Sequence, residues 1–319
     1  MKKIVVIEPG YQDYQEELKV LAEFDPVLEV VKLGTPREQV LLKAADADAI
    51  MVREALVDKA LLDAATRCQV VVRYGVGVDN IDLNYAKERG IKVANVPDYG
   101  SEDVAEHALA LLLAATRRIV TRDRDVRAGI WGVGQREIIP RIYGKVLGVL
   151  GFGRIAKCFI TKARGLGFKE ILVSDPVLTD EQAAQWGVTS CDLKTLCSRS
   201  NFISVHVPLL PSTFHMIGAK ELALMDPLTV IVNAGRGGII DEEALAAALK
   251  DGKIFAAGID TFEQEPVDRQ NPLLRLSNTT VSDHNAWYTV ESVIELQHKG
   301  ALEVYRAFKG EALLHQVNR

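Results

Sequence analysis

The segment Leu147-Gly148-Val149-Leu150-Gly151-Phe152-Gly153-Arg154-Ile155-Ala156 carries an apolar strand straight into Gly-x-Gly-x-x-Ala and then into a helical pattern. In such a turn Gly151 permits the tight bend, Gly153 lets backbone approach a pyrophosphate, and Ala156 lets the helix pack closely on the strand. The phosphates would sit on the N–H groups of the helix that opens at Arg154 and Ile155, where the dipole also favours anions. A lone string of this kind is weak, because Gly-rich turns are common. Here Asp175 also ends the next predicted strand, where an acid accepts hydrogen bonds from the adenosine ribose. Pro176 and Val177 follow it, with no Arg to receive a 2′-phosphate. The pattern predicts a dinucleotide site for NAD in preference to NADP, with no metal in its chemistry.

Three more segments follow predicted strands, at the edge where ligands bind in parallel sheets. They are Asn233-Ala234-Gly235-Arg236-Gly237-Gly238, Asp260-Thr261-Phe262-Glu263-Gln264-Glu265-Pro266 and Ser282-Asp283-His284-Asn285-Ala286-Trp287. Reversible hydride transfer to a ketone needs an acid for the developing alkoxide, a partner that tunes the acid, and a cation that holds a keto acid. His, Glu and Arg suit those tasks, and Glu263 competes with Glu265 for the partner's role. Plainer readings stand for the other candidates. His107 reads as a satisfied helix residue, and His215, His298 and His315 as surface or structural groups. His206 lines the cofactor cleft without titrating, Trp287 is open to a packing role, and Arg73 is either a substrate contact or a structural ion-pair partner.

Short apolar runs alternating with helical patterns must position these groups, which predicts an α/β fold with parallel sheets. Strands are expected at Ile4–Ile7, Ala49–Val52, Val70–Arg73 and Ile91–Asn95, with helices at Glu16–Glu23, Lys59–Ala65 and Tyr85–Arg89. Pro97 and Gly100 mark a break. A helix capped by Ser101 follows and is apolar on nearly all sides to Arg118, so burial between two bodies is expected. Thr121–Tyr143 reads as a polar excursion around an isolated Trp131. A second strand and helix series has strands at Val146–Leu150, Ile171–Ser174, Phe202–His206, Thr229–Asn233, Ala256–Ile259 and Thr280–Ser282. A long helix from Thr289 to Phe308 closes the chain. The dinucleotide turn lies far from the N-terminus, so the first ~100 residues form a separate body, a usual size for a domain, with substrate expected in the cleft it makes with the cofactor domain.

Composition agrees with a two-domain protein of 319 residues, 48% apolar and 25% charged. The net charge of −5 and the absence of any basic run exclude nucleic acid and anionic membrane surfaces as natural partners. Cys68, Cys158, Cys191 and Cys197 show no paired spacing, which fits reduced thiols in a cytoplasmic protein. The N-terminal apolar run is too short for a signal peptide, and no run approaches a membrane span.

With these residues in view, the chain resembles the D-isomer-specific 2-hydroxyacid dehydrogenases over nearly its whole length. That family includes phosphoglycerate dehydrogenases, glyoxylate and hydroxypyruvate reductases and the C-terminal-binding-protein corepressors. Arg73-Tyr74-Gly75-Val76-Gly77-Val78-Asp79-Asn80-Ile81-Asp82 resembles its substrate loop, Val104-Ala105-Glu106-His107 the start of its interdomain helix, and His206-Val207-Pro208-Leu209 its loop near the adenine. The resemblance implies a Rossmann NAD domain, residues 100–290, inserted into a flavodoxin-like substrate domain, residues 1–99 plus 291–319, both doubly wound. It implies Arg236 as carboxylate and carbonyl anchor, His284 as acid/base, and Glu265 as the partner that keeps His284 protonated. Cofactor contacts would come from Gly151, Gly153, Arg154, Ile155, Asp175, His206, Val207, Pro208, Thr213, Ala234, Gly235 and Asp260. Substrate contacts would come from Arg73, Tyr74 and the N–H groups of Val76 and Gly77. A homodimer through the NAD domain, with Thr121–Tyr143 as its arm, is implied as well. The sequence departs from the family at Asp283, where Pro is usual, and at Ala156, where the third glycine would stand.

The expected activity is interconversion of a small 2-keto acid and its 2-hydroxy acid, of D configuration by resemblance. Two other readings remain: an NADH-sensing corepressor with vestigial catalysis, and a D-3-phosphoglycerate dehydrogenase proper. No docking extension is expected beyond the domains, so the enzyme is the leading expectation.

Overall fold

Ile4-Val5-Val6-Ile7 is apolar at every position, the pattern of a strand buried on both faces of a parallel sheet. It forms strand β1 (Lys2–Ile7), with all four of those side chains fully buried. The structure is a computed structural model that describes every residue except 9 and 133–137. The chain divides into two compact units: residues Met1–Gly100 with Tyr288–Arg319, and residues Ser101–Trp287.

In the first unit β1 pairs with β2 (Pro26–Val31) and β3 (Ala49–Val52), and β4 (Val70–Arg73) and β5 (Lys92–Ala94) extend the sheet. The order is β2-β1-β3-β4-β5 with every pairing parallel, the flavodoxin-like arrangement. Helix Val290–Lys309 belongs to this unit. Thr289 caps it by accepting the Ser292 N–H at 3.0 Å, and Gly310 ends it in the left-handed region. Gly300 lets it lie close, since a Cβ there would stand 3.2 Å from Met51 Cε and 3.4 Å from Tyr74 Cε1. The tail then covers the open edge of β5: the Val93 N–H donates to Asn318 Oδ1 at 2.8 Å, and Ala94 bridges Gln316.

The second unit holds β6 (Val146–Leu150), β7 (Glu170–Ser174), β8 (Thr189–Ser190), β9 (Phe202–Val205), β10 (Val230–Asn233), β11 (Ala256–Ile259) and β12 (Thr279–Val281). Their order, β12-β11-β10-β9-β6-β7-β8, reverses between β6 and β9, which is the Rossmann topology. Alternate side chains feed two cores. Leu147, Val149, Val230 and Val232 pack with helices Ser101–Arg117 and Arg154–Ala163, while Leu150, Ile203, Val205 and Ile231 pack with helices Leu193–Arg199 and Glu242–Lys250. Gly258 lets the first helix approach β11, because a Cβ there would lie 3.0 Å from Leu111 Cβ.

Some elements differ from the sequence expectation. β2 was not foreseen: it opens on Pro26, carries Glu29 and is largely half-buried, so it lacks the continuous apolar run of a central strand. Helix Arg37–Ala44 was also missed, since it buries only Val40 and Ala44. Helix Ser101–Arg117 is not apolar all round, because Glu102, Glu106 and Ala110 form an exposed stripe. The expected excursion begins as helix Ile119–Arg127, and part of it lies outside the described residues. Among the described residues no helix is long and apolar enough to cross a membrane.

Candidate active site

The dinucleotide turn leaves β6 at Gly151, whose φ of +99° is open to glycine alone. A Cβ there would lie 2.7 Å from the carbonyl oxygen of His206, so the loop after β9 presses directly on the turn. At Gly153 a Cβ would meet nothing within 4 Å, and no side chain caps the helix Arg154–Ala163 that starts there. The first N–H groups of that helix therefore stand beside open space, as a pyrophosphate requires. Asp175 spans the mouth of the turn: Oδ2 accepts the Phe152 N–H at 2.7 Å and Oδ1 the Val177 N–H at 2.9 Å. Gly148, inside β6, admits helix Leu193–Arg199, where a Cβ would come within 2.3 Å of Ser200 Oγ.

The neighbouring loops take less direct parts. Burial pushes the His206 imidazole down to about 3, which makes it a neutral ring beside Phe159 that shares a hydrogen bond with Ser204 Oγ at 2.8 Å. Thr213, expected at the cofactor, is committed within its own loop: it donates to Pro208 O at 2.6 Å and accepts from Leu210 N–H at 2.7 Å. Val207 packs against the Gly151 turn, Ala234 is buried, and Gly235 lies near Val207 O.

At the end of β10, Asn233 turns the chain with its own side chain. Its Oδ1 accepts the Gly235 N–H at 3.0 Å and its Nδ2 donates to Arg236 O at 2.8 Å. The next residue must be glycine, since a Cβ on Gly237 would fall 1.9 Å from Phe262 O. These contacts seat Arg236 against the loop that follows β11. The side chain is half-buried, one Nη1 bond goes to Gly235 O at 2.9 Å, and its charge acts on Glu265.

His284 and Glu265 meet directly, with Nδ1 of the imidazole 2.6 Å from Glu265 Oε2. Oε1 of the same carboxylate accepts the Phe262 N–H at 2.9 Å. Partial burial pushes the Glu265 carboxyl up, but the hydrogen bonds from His284 and Phe262 and the field of Arg236 outweigh it and hold it below its usual value. The carboxylate is thus charged at neutral pH and fixes the proton of His284 on Nδ1, leaving Nε2 for chemistry. Glu263 faces elsewhere: its Oε1 lies 3.0 Å from His215 Nε2 and takes the Glu242 N–H at 3.1 Å. His215, Asp241 and Glu263 form the group among the described residues whose spacing could hold a metal ion, and within it His215 and Glu263 already pair with each other.

Asp260, expected at the cofactor, has a fully buried carboxylate that organises the loop that carries His284. Oδ1 accepts from Ser282 Oγ at 2.6 Å and Asn285 N–H at 3.1 Å, Oδ2 accepts from Ala286 N–H at 3.1 Å, and its backbone oxygen takes the His284 N–H at 2.8 Å. His284 itself stands in the left-handed region at φ +54°, a costly conformation for a non-glycine residue that this network maintains. His107, read from sequence as a helix residue, completes the cluster with Nε2 2.8 Å from Ser282 Oγ and 3.4 Å from Asp260 Oδ1. Its place on the same helix face as Ala108 and Leu111 was the available signal, but nothing in the sequence names its partners. Trp287 Nε1 donates to His284 O at 3.1 Å and closes the loop.

In the first unit, the loop after β4 turns at Gly75, φ +136°, where a Cβ would lie 1.6 Å from Arg73 Nη1. Arg73 supports that loop from beneath and also pairs with Glu54 at 3.1 Å. Tyr74 differs from expectation, since its side chain points into the core and donates to Glu17 Oε1 at 2.6 Å. Gly75 O takes the Val96 N–H and Val76 O the Asn95 side chain, while among the described residues the Val76 and Gly77 N–H groups have no protein acceptor.

Known proteins resemble the whole of this arrangement. The model of the family described as D-isomer specific 2-hydroxyacid dehydrogenase, NAD binding domain, matches residues 109–286. A D-3-phosphoglycerate dehydrogenase of Methanocaldococcus jannaschii is 40% identical over 100% of this chain and 60% of its own length, so the chain spans about three fifths of that relative. A glyoxylate reductase of Korarchaeum cryptofilum is 37% identical over 89% of this chain and 87% of its own length. The apo-structure of D-lactate dehydrogenase from Escherichia coli superposes with a TM-score of 0.87 at 29% identity, covering 99% of each chain. With its second unit carrying the NAD-binding domain, this chain belongs to the D-isomer specific 2-hydroxyacid dehydrogenase family.

Proposed function

We propose that the protein is an NAD-dependent oxidoreductase that interconverts a small 2-keto acid and its D-2-hydroxy acid. The observation that carries this reading is the 2.6 Å pair of His284 and Glu265 on the sheet edge that also bears the Gly151–Gly153 turn. A bound nicotinamide would supply or accept the hydride. Gly151, Gly153, Arg154 and Ile155 would hold its pyrophosphate and Asp175 its ribose, with His206, Val207, Pro208, Ala234 and Gly235 lining the same edge. A 2′-phosphate facing the Asp175 carboxylate would meet a like charge, so NADH is favoured over NADPH.

In the direction of reduction, Arg236 holds the acid and polarises its carbonyl, and the N–H groups of Val76 and Gly77 receive the carboxylate. His284 gives the proton on Nε2 to the oxygen that becomes the hydroxyl, and Glu265 stabilises the doubly protonated ring beforehand. In oxidation the same nitrogen takes the proton back. A homodimer, made through helix Ile119–Arg127 and the segment after it, would cover the exposed Ile119, Val120, Val126, Ile130 and Trp131. A cytoplasmic location goes with this chemistry.

Following NADH loss at 340 nm over a panel of 2-keto acids tests the reading. Turnover of at least one acid, faster with NADH than with NADPH, is expected. Tight NADH binding with no turnover of any acid would overturn the enzyme and favour a nucleotide sensor.

A further inference from the structure

In the five-stranded sheet the order β2-β1-β3-β4-β5 sends the chain one way from β1 and the other way from β3. Such a reversal leaves a crevice beyond the carboxyl ends of the two strands, and ligands bind there in open parallel sheets. Here it opens past Ile7 and Val52, and Tyr11 and Arg53 are among the residues that follow them. The Tyr11 hydroxyl is buried without a hydrogen-bond partner among the described residues, although its ring is only half-buried.

The ring is well held, edge-on to Tyr74 at 5.2 Å and tilted against Tyr14 at 6.3 Å. Its neighbour Tyr74 is fully satisfied, because its hydroxyl donates to Glu17 Oε1, whose other oxygen takes Gln297 Nε2 at 3.1 Å. That closed set leaves Tyr11 outside it. Burial raises the Tyr11 phenol far above its usual pKa, against the fields of Arg53 and Arg73, so the group is a protonated donor throughout the physiological range. Proteins bury few donors without acceptors, and those that persist call for an explanation. Tyr74 immediately precedes the Gly75 turn, so Tyr11 is one side chain away from the loop that offers the Val76 and Gly77 N–H groups.

We propose that Tyr11 is a specificity-determining residue whose hydroxyl donates to an oxygen on C3 of the acid, so that 3-oxygenated substrates are preferred over their alkyl counterparts. This rests on the dehydrogenase reading. A pocket built to hydrogen-bond a substrate oxygen rejects the analogue that lacks it far more strongly than an apolar pocket rejects an added hydroxyl. The hydroxyl is covered in this structure, so its donation requires that the binding acid uncover it.

The test compares 3-hydroxypyruvate with pyruvate, which differ by one oxygen, in wild type and Tyr11→Phe. Wild type should prefer 3-hydroxypyruvate by roughly 10- to 100-fold in kcat/KM, the scale of a lost buried hydrogen bond. Tyr11→Phe should remove most of that preference while pyruvate turnover stays within about twofold, since the hydroxyl makes no bond to the rest of the protein. Calorimetric titration of both acids into the complex with NAD+, an unreactive pairing because no hydride is present, should give the same ranking. An equal preference in wild type and variant overturns the assignment and leaves the hydroxyl to an ordered water. Should wild type oxidise NADH with no acid while calorimetry still separates the two through Tyr11, the dehydrogenase reading fails and the Tyr11 assignment stands. Equal binding of both acids overturns it.

Discussion

Each unit ends a parallel strand in a glycine whose φ only glycine tolerates, but the two turns are supported by different matter. Beneath Gly75 lies the guanidinium of Arg73, a side chain from the strand that leads into the turn. Against Gly151 lies the backbone carbonyl of His206, which opens the loop after the strand across the topological reversal. A side chain can be deleted by substitution, whereas a backbone carbonyl stays whatever residue carries it. The crowding at the turn of the second unit is therefore the harder to relieve. That unit also carries the charged pair, while the first unit offers N–H groups and an unpaired hydroxyl. On the proposed function, the second unit's edge carries the proton and hydride chemistry and the first unit's edge chooses what enters it.

The largest expected effect separates those tasks. His284→Gln should lower kcat by about 10²–10⁴, the usual worth of a positioned acid/base, with NADH affinity and thermal midpoint nearly unchanged. Steady-state kinetics beside a fluorescence titration measure both. If substitutions on the first unit's edge, such as Tyr11→Phe, lower kcat for every acid by as much, the division of labour is wrong.

A smaller effect sharpens the contrast between the turns. Gly75→Ala and Gly151→Ala should each cost about 1–3 kcal/mol from backbone strain alone, with the clash added. In an Arg73→Ala background the clash at Gly75 disappears, so Gly75→Ala should become less destabilising and the double-mutant cycle strongly non-additive. No side-chain deletion should rescue Gly151→Ala, which should also weaken NADH binding. Denaturant midpoints decide it, and additivity at Gly75 would remove Arg73 from beneath the turn.

The smallest effect concerns pH. Glu265 has a folded value below its ordinary one, so its contribution to stability is present above the usual carboxylate range and is lost as pH falls through the lowered value. Glu265→Gln should flatten that acid-side loss. It should also slow keto-acid reduction, by less than His284→Gln does, because the ring loses its charged partner at Nδ1 while solvent already screens a pair whose side chains are about a third exposed. An unchanged kcat and an unchanged acid-side stability would exclude Glu265 from the mechanism.

Much of this was legible before folding. Central strands such as β1, β6 and β10 are short and apolar throughout, because burial on both faces demands it, and the glycine turn with Asp175 named its ligand by spacing. Edge strands were harder: β2, half-buried and opened by Pro26, has no such pattern to display. Site residues followed the same division. Arg236, Glu265 and His284 stand in strings whose residue types suit proton and hydride chemistry, and the family resemblance assigned their roles.

What sequence alone determined, then, was the local part: strand and turn patterns, the positions where only glycine fits, and the inventory of groups able to carry charge. Tertiary structure decided which of those groups meet. It joined His284 to Glu265 and sent Glu263 to His215. It turned Tyr74 inward to Glu17 and left the neighbouring Tyr11 without an acceptor. It also buried Asp260 as the anchor of the loop that carries His284, with His107 brought to it from a helix far away in the chain. The physical reason is reach. Backbone strain and burial period act over a few residues and are written in order along the chain, while a hydrogen bond needs two groups within about 3 Å, and only packing of the whole sheet brings residues so far apart in sequence to that distance.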